Sequence, residues 1–164
     1  MKASNVLLWA SVILLLTAGG LILLGTVGAR AGTVSDEVKA LVTFINSGAA
    51  PNLRLCALND LKALDDDAVE TELAKIAKGD DLFIATYATT TLGRKKTKAA
   101  KKSLKSLLEN TSLDIDVRMG ALTAIAVHFK NKGDITYLES KTKSNTKLKA
   151  RCAWLKTNVY KVSK

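Results

Sequence analysis

Seven cations with no acid among them, Arg94, Lys95, Lys96, Lys98, Lys101, Lys102 and Lys105, form the densest group of chemistry-bearing side chains in the sequence. On a helix, Lys98, Lys101, Lys102 and Lys105 fall within about 100° of arc, and Ala100, Leu104, Leu107 and Leu108 lie on the other side. A lysine stripe of this kind attracts polyanions: nucleic-acid phosphates, anionic lipid headgroups or acidic cell-surface polymers. The competing reading is a solubilising face. Lysine is a flexible point charge, and sites that grip phosphate favour the planar fork of arginine, of which this chain has five. The aromatic residues of the basic half, Phe129, Tyr137, Trp154 and Tyr160, are not interleaved with the run as single-strand binding requires.

Other reactive groups are sparse. Two Cys and one His cannot build a Cys/His zinc site, and no glycine-rich phosphate loop, nucleophile elbow or paired-histidine metal motif is present. The single imidazole, His128, reads as a helix-end residue. The Asp65-Asp66-Asp67 triplet reads as the cap of a following helix over residues 68–78 rather than a cation site. No catalytic residue, metal or cofactor is therefore expected.

The elements that position these groups repeat. Val38, Leu41, Val42 and Ile45 recur at helical spacing, and Gly48 and Pro51 end that segment. Four later stretches, beginning at Leu53, Ile84, Val117 and Leu148, are then 31, 33 and 31 residues apart. Their fifth position is always small (Ala57, Ala88, Ala121, Cys152), and the ninth is aliphatic in three of them (Leu61, Leu92, Ile125). In the fourth, Leu155 stands beside Lys156. Leu73, Leu104 and Leu138 mark a second helix in each unit. Asp81 and Asp114 sit where an N-cap carboxylate belongs, and Gly79, Gly93 and Gly133 fall in the anticipated connections. A period of this length with two helices per unit is the pattern of a helical solenoid.

The stretch Asp114, Val117, Arg118, Ala121 and Ile125 resembles the first helix of a HEAT repeat, and Asp81, Ile84, Ala88 and Leu92 are similar except for Ala85 where the arginine belongs. Leu53, Arg54, Ala57 and Leu61 lack the aspartate, and the Leu148 unit is degenerate, as a C-terminal cap tends to be. The resemblance covers residues 33–160 and implies an all-α fold, a short right-handed α-solenoid of antiparallel helix pairs; the apolar run of residues 6–29 is expected to precede it as one N-terminal hydrophobic helix. Arg54 and Arg118 then read as structural bridges to acids of adjacent units. Cys56 and Cys152, three units apart at about 10 Å per unit, are expected unpaired, because a disulfide needs Cα atoms within about 7 Å.

Residues 6–29 are a 24-residue apolar run, about 36 Å long as a helix and enough to cross a bilayer core of about 30 Å. The expected organisation is a membrane anchor or signal sequence over residues 1–31 and a repeat domain over 32–164. The length favours an uncleaved single-pass anchor with the domain outside the cytoplasm. The small-residue triplet Ala29-Arg30-Ala31 keeps open the alternative of cleavage near Ala31 and a secreted or periplasmic domain.

Net charge is +10, unevenly spread. Residues 32–93 carry five cations against ten acids, and residues 94–164 carry eighteen against five. The sequence thus points to a non-enzymatic scaffold that binds another protein. The alternative is a polyanion-binding module using the lysine run, and head-to-tail self-association of acidic half on basic half is a third arrangement.

Overall fold

The computed structural model describes residues 12–17, 20–25, 34–64 and 67–161. From Val34 onward the described residues are all-α. The helices are α1 (Val34–Ile45), α2 (Pro51–Ala63), α3 (Asp67–Ile76), α4 (Leu82–Lys95), α5 (Lys98–Glu109), α6 (Ile115–Ala124), α7 (Asp134–Thr142) and α8 (Thr146–Asn158); α6 runs on into a π-helical turn over Ile125–Phe129.

Local chemistry sets these boundaries. Pro51 occupies the first turn of α2, where its missing N–H costs nothing. Side-chain oxygens of Asp81, Thr97, Asp114 and Asn145 accept backbone N–H groups at the starts of α4, α5, α6 and α8. Both aspartates expected as caps take that role. Gly93 does not lie in a connection: it is buried in the last turn of α4, and Lys96, left-handed at φ 58°, ends that helix instead.

The helices pack in two rows. In one, α2 lies on α4, α4 on α6 and α6 on α8; in the other, α1 lies on α3 and α3 on α5. The rows join through α1 with α2, α3 with α4, α5 with α6 and α7 with α8. The small fifth residues Ala57, Ala88, Ala121 and Cys152 are all buried, as are Leu61, Leu92, Ile125 and Leu155 four or three positions on. Leu73 and Leu104 are buried in the second row, and Leu138 is buried on α7. Small residues at the first-helix crossings let neighbouring helices approach while the aliphatic residues close the core between rows.

Polar links between alternate helices recur at a separation a little shorter than the 31–33-residue spacing of the sequence. Arg54 bridges Asp81 at 2.6 Å, 27 residues away. Tyr87 donates to Asn59, Thr97 to Glu70, Tyr137 to Glu109 and Arg151 to Thr123, at separations of 27 or 28 residues. Arg54 and Arg118 also act alike on the backbone. Nε of Arg54 donates to the Ile45 carbonyl and Nε of Arg118 to the Leu108 carbonyl, satisfying acceptors left over at the ends of α1 and α5.

In the apolar N-terminal segment the described residues are β1 (Val12–Thr17) and β2 (Gly20–Gly25), paired antiparallel with Val12 opposite Gly25 and Thr17 opposite Gly20. Of the span 6–29, expected as one continuous helix, these two strands are what the structure describes. An unbroken apolar run has neither the 3.6- nor the 2-residue period, so its sequence does not separate strand from helix. The rest of that span, and the Ala29–Ala31 triplet, lie outside the described residues. No helix among the described residues is long and apolar enough to cross a membrane.

Two helices approach closely at Gly93, where an added Cβ would lie 2.7 Å from the Ala124 Cβ and 2.8 Å from His128 Cδ2. Gly93→Ala is expected to destabilise by about 1–3 kcal/mol through overpacking. Gly48→Ala, where nothing lies within 4 Å, should stay within about 0.5 kcal/mol of the parent. Urea unfolding followed by circular dichroism checks both.

Candidate functional site

The lysine run divides when placed on the fold. Lys98–Glu109 is α5, and Ala100, Leu104, Leu107 and Leu108 point into the core as their spacing predicts. Lys101 and Lys105, however, turn toward α7. The Lys101 Nζ lies 2.6 Å from one Asp134 carboxylate oxygen, and the Lys105 Nζ is 3.5 Å from the other. Lys101 also sits over the Phe129 ring at 5.6 Å, and Lys105 over Tyr137 at 4.3 Å. Asp134 is only 5% exposed, so these lysines neutralise a buried carboxylate. Lys95 is engaged too, donating to the Lys62 and Leu64 carbonyls at the end of α2. Arg94, Lys96, Lys98 and Lys102 are exposed. The seven cations are therefore not one continuous solvent-facing stripe.

The neighbouring residues form a compact polar network. Tyr137 donates to Glu109 at 2.9 Å, and Lys141 bridges the same oxygen at 3.0 Å. Lys141 and Tyr137 together hold the Glu109 carboxyl below its ordinary pKa. Burial, followed by Glu109, raises the Tyr137 phenol, and burial pushes Tyr160 up to about 12.

The other candidate is a groove of about 510 Å³ on the first-helix row, between α4, α6 and α8. Phe83, Thr86 and Thr90 line it from α4, and Asp116, Met119, Gly120, Thr123 and Ala124 from α6. Val127 and His128 enter from the π turn and Arg151 from α8. Small side chains at the α4–α6 crossing leave the valley open: Gly120 lies opposite Thr89, and Gly93 opposite Ala124. The apolar side chains around it are unusually exposed, Phe83 at 56%, Val127 at 36% and, on α8, Trp154 at 50%. Arg151 is held in place. Its Nε donates to the Thr123 hydroxyl at 3.1 Å, and its guanidinium lies over the Trp154 ring at 4.6 Å.

His128 lies at a helix end, as its place in the sequence predicts, and it also lines this groove. The π turn that carries it adds a residue to the helical turn and re-aims its side chains. Burial lowers its pKa from the ordinary 6.5, and the nearby Arg94 and Lys96 lower it further. Spacing and composition do not disclose this groove. A one-residue widening of a helix has no compositional mark; the available signal is the placement of Phe83 and Trp154 on positions that the repeat leaves outside its core.

Among the described residues no group of three or more His, Cys, Asp or Glu is arranged to hold a metal ion. Asp65 and Asp66 lie outside the described residues. Cys56 is exposed and Cys152 buried, and the two are not bridged. Burial raises the Cys152 thiol pKa. Compared with known proteins, the chain matches no family profile, no curated protein and no solved structure.

Because His128 binds its proton less readily folded than unfolded, the unfolded chain gains protons first as pH falls through about 6.5. Stability is therefore expected to be undiminished by this group above that pH and to decline below it, levelling once folded His128 also protonates. His128→Asn should flatten the stability profile below about pH 6.5, measured by denaturant midpoints; Asp116 and Arg151, which share the groove, remain in both proteins.

Proposed function

We propose that this chain is a HEAT-like, right-handed α-solenoid scaffold, held at a membrane or exported, that binds another protein through the exposed face of its first-helix row. The observation that carries this reading is the groove between α4, α6 and α8, where Phe83 and Val127 stand exposed, with exposed Trp154 beside it against Arg151. Soluble surfaces scatter such residues singly; clustering around a concavity is the mark of a docking face. Links spaced at 27–28 residues support stacking of like units in chain order.

The polyanion reading draws support from Arg94, Lys96, Lys98 and Lys102, which are exposed, and is weakened by the use of Lys101 and Lys105 on buried Asp134. With the full chain in detergent micelles on immobilised heparin, the scaffold reading expects elution at low salt. Lys101→Ala and Lys105→Ala should leave that elution unchanged while lowering stability by about 1–3 kcal/mol, since each removes a partner of a buried charge. Strong retention that collapses steeply with salt and is lost with Lys98, Lys101, Lys102 and Lys105 to Ala would establish the polyanion reading instead.

Membrane attachment rests on the apolar run of residues 6–29. A two-stranded ribbon leaves its outer N–H and C=O groups unpaired, which hydrocarbon penalises heavily, so within a bilayer this segment would be helical. Alkaline carbonate extraction of expressing cells is expected to leave the full chain in the membrane pellet and to release a chain lacking residues 1–31.

A further inference from the structure

We propose that the groove between α4, α6 and α8 receives a short segment of a partner protein carrying an apolar anchor side chain and a nearby carboxylate, the carboxylate being taken by Arg151. This inference rests on the scaffold reading above and names its docking site.

Arg151 is the group that defines the site. A surface arginine normally loses rotamer freedom when it binds. Here that freedom is already reduced: Nε is committed to Thr123, and the guanidinium carbon lies 4.6 Å from the centre of the Trp154 ring. A fork fixed in this way and lining an apolar concavity suits a planar carboxylate, which it can engage through two parallel N–H donors. Phe83, Met119 and Val127 supply the apolar wall for the anchor, and methionine adapts its shape to what enters.

Charge selects the occupant. Among the lining residues Arg151 is the cation and Asp116 the acid; Arg94 and Lys96, outside the lining but near enough to His128 to oppose its protonation, tip the surroundings toward positive charge. An acidic segment matches that balance. A nucleic-acid strand matches it less well, because a run of phosphates needs a continuous track of cations. Lys95, Lys101 and Lys105, none of which lines the groove, are occupied within the fold, and Asp116 adds a negative charge to the lining.

The test uses the full chain in detergent micelles and a set of fluorescent heptapeptides. Each peptide has one leucine, phenylalanine or tryptophan and two glutamates one to four positions away, with matched peptides carrying lysine for glutamate. Fluorescence anisotropy should show saturable binding of at least one acidic peptide and none of its lysine counterpart. Arg151→Lys, which keeps the charge and loses the fork, should weaken binding about tenfold. Phe83→Ala, at an exposed position, should weaken it while leaving helical content unchanged. The proposal is overturned if no peptide binds, if binding ignores both substitutions or the sign of the peptide charge, or if single-stranded oligothymidylate displaces the peptide equally well. Peptide failure together with low-salt elution from heparin removes this groove and leaves the scaffold reading standing; steep salt-dependent heparin retention removes the scaffold reading itself.

Discussion

Two helices can come as close as α4 and α6 do only where neither presents a bulky side chain. Gly93 against Ala124, and Thr89 against Gly120, meet that condition, and much of the central architecture follows from it. Leu92, Ile125 and Ala88 belong to the same buried apolar cluster, and the π turn packs against α4. The close crossing also leaves a shallow valley on the outer side, because the small residues that permit the approach cannot fill the surface above it. Packing density inside and concavity outside therefore have one cause.

The basic half is held by a different constraint. Asp134 begins α7 and is almost wholly buried, a position tolerable for a carboxylate only with cationic partners. Lys101 and Lys105 provide them from α5, and their ammonium groups also lie over the Phe129 and Tyr137 rings. What composition presents as a block of surplus positive charge is in part a fastening between α5 and α7. Lys95 acts similarly on the last carbonyls of α2, and Arg54 and Arg118 on those of α1 and α5. Cations in this chain repeatedly serve helix ends, where the backbone dipole makes them welcome.

These two constraints separate what the sequence discloses from what it conceals. Burial of Ala57, Ala88, Ala121 and Cys152, the aliphatic partners at Leu61, Leu92 and Ile125, the caps at Asp81 and Asp114, and the Arg54–Asp81 bridge all follow from spacing, because each is a periodic or adjacent-unit effect. Leu155 is legible in place of Lys156 for the same reason. Gly93 reads as a loop residue because glycine is taken first as a helix stop, and only the partner helix shows that it is needed for clearance. The engagement of Lys101 and Lys105 is hidden because their partner is a single acid one unit away, outside any local window. The groove is hidden most deeply: it arises from three helices and a π turn, none of which marks it alone. The strand pairing in the apolar N-terminal segment is concealed by a composition that suits both conformations.

The polar links that tie one helix pair to the next have a mechanical corollary. A bond that reaches only an adjacent neighbour transmits load only to that neighbour, so tension applied at either terminus would peel the chain one pair at a time instead of rupturing it in a single event. The region around Gly93 and Ala124, gripped from both directions, would be the last to let go, and a guest seated there would sit on the most durable part of the molecule.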